Sequence, residues 1–211
     1  QGPVATSLQA FVDYQETDAW TWEHLAMTRA RVLAGDAGLG QDIEAFRRRL
    51  VAQKSSGPMI AQDVADMRGR LRLAKPQGSS LDVRNGAGRL MDIELFAETL
   101  WSGSAERDVA AQIRAGLARD LSQSAAQALL DADRLCWQVQ CGARLLTPET
   151  LDVAALGQGG RAFLLRETGH PTPEALAAEV ERLAAAADAV ISRTLIARGA
   201  APDGGQDDAA G

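Results

Sequence analysis

TPEALAAEVERLAAAADAVISRTLIA, residues 172–197, is the stretch on which the fold turns. Thr172 offers a hydroxyl to cap the first turn, and Pro173 suits the first helical position, where its missing N–H has no partner to lose. The pattern predicts a helix over 173–197. Working back, 125–146 and 105–117 also read as helices, and 148–166 as one or two shorter ones interrupted by Gly157-Gln158-Gly159-Gly160. From Leu90 onward, Leu90, Ile93, Phe96, Ala97 and Leu100 form an inward helical stripe.

Toward the N-terminus, Ser7 caps a helix with Leu8, Phe11, Val12 and Tyr14 on one broad face. A second helix is predicted over 19–34, carrying Trp22, Leu25, Ala26 and Arg29 and ended by Gly35. Residues 43–52 form the next, with Ile43, Phe46 and Leu50 inward; Arg47, Arg48 and Arg49, being adjacent, cannot share one direction. Ser56-Gly57-Pro58 is a break, after which Ile60, Val64, Met67 and Leu71 recur at helical spacing among Arg68, Arg70 and Arg72. Residues 75–80 read as a linker, Leu81-Asp82-Val83-Arg84 as a short extended stretch, and Asn85-Gly86-Ala87-Gly88 as a tight turn. Strand signals are nearly absent, so the expected fold is all-α, a helical bundle. Residues 199–211 lack large apolar side chains and are expected to be a disordered tail.

Composition limits the function classes. Among 211 residues, 46% are apolar, enough for a sizeable core, and the net charge of −6 is spread without a Lys/Arg cluster. A nucleic-acid partner is therefore not expected. No apolar run approaches the roughly 20 residues of a membrane span. Cys136 and Cys141, five apart on one helix, face different ways, so a disulfide is not expected and a reducing cytoplasm fits. Gln1-Gly2-Pro3-Val4 opens the chain without an initiator methionine, which reads as a piece of something longer.

Several motifs carry a resemblance. Ala19-Trp20-Thr21-Trp22-Glu23-His24-Leu25-Ala26-Met27-Thr28-Arg29-Ala30-Arg31, followed by Gly35-Asp36, resembles the two-tryptophan signature of the C-terminal, adenylylating half of the bifunctional glutamine synthetase adenylyltransferase/adenylyl-removing enzymes. Asp66-Met67-Arg68 with Arg70 and Arg72 looks like that family's arginine-rich helix, and Asp82-Val83-Arg84 leading to Asp92-Ile93-Glu94 is similar to its glycine-loop motif. Two departures stand out: Gly88-Arg89 replaces the family's Gly-Gly, and Leu95 replaces a Phe.

The resemblance implies a helical domain of the type that follows a nucleotidyltransferase domain, as in the PII-uridylyltransferases and the glutamine synthetase adenylyltransferases. It divides the chain into 1–35, the end of the nucleotidyltransferase domain; 36–198, the helical bundle; and 199–211, the tail. It implies AMP transfer from ATP, with Mg2+, to a tyrosine of glutamine synthetase in nitrogen regulation, under the control of the PII signal protein and glutamine. The family's Gly-Ser turn and Asp-x-Asp metal pair have no match here. No catalytic residue is therefore expected within the chain, and the chain alone is expected to be inactive.

Within that resemblance, Arg29, Arg31, Arg68, Arg70, Arg84, Gly86, Gly88, Asp92 and Glu94 are candidates to line a nucleotide or acceptor cleft. Guanidinium forks suit phosphate oxygens, and ordinary salt bridging is the competing reading for each. Asp92 and Glu94 could share one magnesium ion only if the backbone after Gly88 stays extended; in a helix they diverge, with Asp92 favoured in the first turn by the dipole. The Gly86–Gly88 loop could form an anion nest. One of Trp20 and Trp22 is expected in the core, the other facing a neighbouring domain, and His24 is expected to be structural. A second reading makes the segment a regulatory module binding PII, glutamine or glutamine synthetase.

Overall fold

The computed structural model describes residues 5–54, 59–100, 107–148 and 151–201. Among them, regular structure is helical throughout: α1 (Leu8–Thr17), α2 (Thr21–Ala26), α3 (Ala37–Lys54), α4 (Ile60–Ala74), α5 (Leu90–Glu98), α6 (Val109–Ala115), α7 (Gln123–Leu146), α8 (Gln158–Thr168) and α9 (Pro173–Ala197). The bundle predicted from the sequence is the fold found. No described helix is long and apolar enough to cross a membrane.

Side-chain caps set several starts. The hydroxyls of Ser7, Ser122 and Thr172 and the carboxylate of Asp108 accept from the amides three residues on, those of Ala10, Ala125, Ala175 and Ala111. The two long helices α7 and α9 pack along each other, with Leu129, Ala132, Cys136 and Val139 facing Leu176, Val180, Ala187 and Ile191 in one buried cluster. Short α5 sits at the centre: Ile93, Phe96 and Ala97 are fully buried, and the helix touches α2, α4, α6, α7 and α9. Leu25 of α2 belongs to the same core.

Four expectations change. The helix predicted over 19–34 stops at Ala26, turns as 3-10 over Met27–Arg29 and becomes extended at Ala30. Its continuation is blocked because Arg47 donates to the carbonyls of Met27 and Thr28, which a continuing helix would offer to amides four residues on. The glycines at 157–160 start α8 instead of interrupting a helix. Residues 81–84 alternate inward and outward as expected, but no strand pairs with them; the Asp82 carboxylate accepts from the amides of Gly78, Arg84 and Asn85 and folds the segment around itself. Residues 199–201 belong to the fold: Ala200 is buried, its amide donates to Leu195, and the Ala201 amide donates to Gln62. The rest of the predicted tail, and the break at Ser56-Gly57-Pro58, lie outside the described residues.

The 85–88 turn delivers the chain into α5 and against α9. Carbonyls of Val83 and Arg84 receive the amides of Leu90 and Met91, satisfying two N–H groups at the start of α5. Gly88 adopts φ +65°, and a Cβ there would lie 1.9 Å from the carbonyl oxygen of Ala184. Backbone contact between turn and helix, not phosphate approach, is what this glycine permits. Gly88→Ala is therefore expected to destabilise the chain by roughly 3 kcal/mol, overpacking adding to the left-handed strain. A denaturant midpoint unchanged from wild type would refute this.

Candidate functional site

The most deeply placed of the predicted site residues is Arg68. Its Nε donates to Asp92 Oδ1 at 2.6 Å and its Nη2 to Asp92 Oδ2 at 2.8 Å, a bidentate fork buried on both sides. The same Nη2 reaches Asp188 of α9 at 2.6 Å, Nη1 reaches Ser192, and Arg72 adds a second contact to Asp188 at 2.9 Å. Burial pulls the Arg68 guanidinium toward the neutral form, yet the hydrogen bonds and charges of Asp92 and Asp188 hold it above its ordinary value. The Gly88 amide donates to Asp92 Oδ2 at 2.7 Å, so the anion bound by the glycine turn is the chain's own carboxylate.

On another face of α5 lies a second constellation. Arg29, half exposed, pairs with Glu94 at 3.2 Å and approaches Glu98 at 3.8 Å. Burial pushes Glu98 up to about 7 against the pull of Arg29, and Glu94 adds to the rise. Nearby on α7, burial raises Asp133 to about 6, and its Oδ1 has no hydrogen-bond partner. One guanidinium thus serves more carboxylate than it can neutralise.

Arg89 supplies a third tie. Almost fully buried, it donates to the carbonyls of Ser80 and Asp82 at 3.1 and 2.8 Å and to Glu181 of α9 at 2.6 Å. The Arg89 side chain therefore fastens the 80–82 loop to α9.

The nine predicted residues do not form one wall. Arg68, Gly86 and Asp92 border a slot of about 20 Å³ between α4 and the turn, with Gly88 bonded to Asp92. Arg29 and Glu94 meet on the other side of α5. Arg31 lines a concavity beside α3, Arg70 a cleft of about 100 Å³ with Trp20 and Trp22, and Arg84 a third cavity against α7. Both tryptophans are exposed, at 65% and 47%, so neither fills the core; Leu25 does. His24 is buried with Nε2 on the Gln15 carbonyl at 2.8 Å, the structural role expected of it.

The residues present do not fit a magnesium ion at Asp92 and Glu94. Both lie in α5, where a two-residue offset points them apart, and the extended backbone that sharing requires is absent. Arg68 and the Gly88 amide occupy Asp92, while Arg29 takes Glu94. Among the described residues no group of three or more His, Cys, Asp or Glu side chains is arranged to hold a metal. Sequence reasoning missed Asp188, Glu181, Glu98 and Asp133, because each acquires its environment from helices distant in the chain.

Fold and site together define an all-helical domain stapled internally by arginine–carboxylate pairs and carrying separate, solvent-facing arginine clefts. Comparison with known proteins shows what the chain is similar to. Residues 1–46 match the family model for glutamate-ammonia ligase adenylyltransferase. The bifunctional glutamine synthetase adenylyltransferase/adenylyl-removing enzyme of Rhizobium meliloti is 44% identical over 100 residues, 47% of this chain and 10% of the relative. Its counterpart from Bradyrhizobium diazoefficiens is 42% identical over 99 residues, again 47% and 10%. That of Rhodopseudomonas palustris strain BisB5 is 30% identical over 202 residues, 92% of this chain and 20% of the relative. The chain is thus similar in sequence to part of the glutamine synthetase adenylyltransferases, and it spans about a tenth to a fifth of the length of those it matches.

Two outcomes follow from the buried charges. Arg68→Ala strands Asp92 and half-buried Asp188, and is expected to cost about 3–5 kcal/mol in urea unfolding; a loss below about 1 kcal/mol, the scale of an exposed pair, would contradict the clamp. For Glu98, the folded value near 7 exceeds the usual 4.5, so the folded chain holds the extra proton and loses stability as pH rises through that window. Glu98→Gln should therefore stabilise the chain by up to about 3 kcal/mol at pH 8 and by far less at pH 4.5. Equal melting differences from wild type at both pH values would refute it.

Proposed function

We propose that this chain serves as the helical unit of an adenylyltransferase that moves AMP from ATP to a tyrosine of glutamine synthetase, and so regulates nitrogen assimilation in the bacterial cytoplasm. The observation that carries this reading is the similarity to a bifunctional glutamine synthetase adenylyltransferase/adenylyl-removing enzyme across 92% of the chain. In this reading ATP and Mg2+ are held by a nucleotidyltransferase unit whose last segment is residues 1–35, with Leu25 inserted into the core of the bundle, 36–198, that follows. The cleft of Trp20, Trp22, Asp63 and Arg70 supports it, since aromatic faces and an exposed guanidinium together suit a surface that meets that unit or its nucleotide.

The exposure of Trp20 and Trp22 also favours a second reading, in which the same surface receives the PII signal protein or glutamine synthetase. One set of measurements separates them. In the longer polypeptide that carries this segment, the transfer reading expects Arg70→Ala to lower kcat/KM for AMP transfer about tenfold or more with effector response intact. Unchanged basal transfer with lost response to PII or glutamine supports the regulatory reading. The 211-residue chain alone is expected to adenylylate nothing; AMP transfer by it would place the catalytic carboxylates inside these helices and overturn the proposal.

A further inference from the structure

Between the irregular segment 30–36, the first turns of α3 and Arg107 lies a shallow concavity of about 780 Å³, broadly open to solvent. Its chemistry is set by Glu44. Oε1 accepts from Arg47 Nη2 at 2.9 Å and Arg48 Nε at 3.0 Å; Oε2 accepts from Arg47 Nε at 2.9 Å and Arg107 Nη2 at 2.7 Å. Four charge-assisted bonds occupy the roughly four lone-pair sites of a carboxylate, so Glu44 has nothing left to offer a further cation. The hydrogen bonds from Arg47, with those of Arg48 and the charge of Arg107, hold it down at about 2.

Two of those guanidiniums are fixed independently. Arg47 is buried on the carbonyls of Met27 and Thr28, and Arg107 Nε donates to the carbonyl of Ala30 at 2.8 Å. Among the described residues three cations therefore converge on one anion, leaving two positive charges in excess there, within a chain whose net charge is −6. Arg48 engages Glu44 through Nε, and its two terminal amino groups make no hydrogen bond to a described residue. Arg107 Nη1 is likewise unused, and Arg31, on the same lining, pairs with no described residue. The remaining lining carboxylate, Asp36, spends Oδ1 on the Leu39 amide at the start of α3. Val32 and Leu33 stand exposed on the rim, at 46% and 79%.

We propose that this concavity binds an organic phosphate ester. Its doubly charged phosphate would be taken by the guanidinium N–H groups of Arg31, Arg48 and Arg107 that no described residue engages, with the organic body against Val32 and Leu33. A dianion matches the charge excess, and planar forks arriving from separate chain segments match a tetrahedral group of oxygens better than a single planar carboxylate. Residues needed to hold the fold, Arg47 and Glu44, are already committed to each other, so ligand binding leaves the tie between α3 and the 27–30 turn intact. The proposal goes beyond AMP transfer and does not depend on it.

The test is binding to the 211-residue chain at low salt and without metal, by calorimetry and amide chemical shifts, with phenyl phosphate and inorganic phosphate as probes. Phenyl phosphate is expected to bind saturably, to shift amides of 30–37, and to bind more tightly than inorganic phosphate. Arg31→Gln and Arg48→Gln, both at exposed side chains, should each weaken it about tenfold, the loss of one charge-assisted contact, while Arg193→Gln on α9 changes nothing and all three variants melt as wild type does. Three results would overturn the proposal: no saturable binding by the wild type, equal affinity for the two probes, or affinity unaltered in both arginine variants.

Discussion

Arg68 is where the bundle is joined. Its guanidinium bridges Asp92 on α5 and Asp188 on α9, so three helices separated by 24 and 120 residues meet at one planar group. Buried ion pairs give up much hydration, and their attraction offsets that loss only when geometry is good and remaining donors are satisfied. Here the fork is bidentate to Asp92, the Gly88 amide takes another lone pair, and Ser192 and Arg72 complete the surroundings of Asp188. An apolar contact at this place would tolerate sliding of α9 along α4; a fork with fixed donor directions does not. The position of the 85–88 turn follows, because the turn must bring an N–H to Asp92 and a Cβ-free face to Ala184 at once.

What the sequence disclosed, and what it hid, divide along the range of the forces involved. Helix starts were legible because a cap is a contact of three residues: Ser7 and Thr172 do what their positions predict. The inward stripe of α5 was legible because it repeats within one element. Hidden were outcomes decided by distant partners. Nothing local in Met27 and Thr28 reveals that Arg47 will claim their carbonyls and end the helix there. The alternation at 81–84 correctly separated buried Leu81 and Val83 from outward Asp82 and Arg84, but whether an extended segment finds a strand partner depends on the rest of the chain. For the site, each arginine was recognisable as a cation with two uses. Only the position of the opposing carboxylates, Asp188 for Arg68 and Glu94 for Arg29, assigns one of those uses to internal tying.

The same positions explain why charge is unevenly shared. Around Arg29 the carboxylates of Glu94, Glu98 and Asp133 outnumber the cation, and burial raises two of them toward neutrality. Around Glu44 the imbalance is reversed: three guanidiniums crowd one carboxylate that burial does not neutralise. Both neighbourhoods touch the short connection through residues 27–36, where Arg29 turns to the first and Arg31, two residues on, lines the second. Residues adjacent in the family-like motif therefore work in opposite electrostatic settings. The first, paired to acids at the surface of the bundle core, holds structure. The second, beside an excess of positive charge, pairs with no described residue, as an anion site requires.

Arg89 argues the same separation of roles from a different direction. A glycine pair at this turn would leave room for a ligand to approach the backbone, and Arg89 fills that room with a guanidinium bonded to two carbonyls and to Glu181. Gly86 remains, with φ +115°, but a Cβ there would press on the Arg89 side chain at 3.1 Å. Turn, arginine and α9 are thus one packed unit whose polar groups are satisfied internally, and opening it to a phosphate would break several charge-assisted bonds to make others of similar strength. Such an exchange gives little net gain. Anion recognition in this domain is better served where guanidinium donors are already in place and not engaged by any described residue, which directs it away from the glycine turn and toward the arginines lining the concavity beside α3.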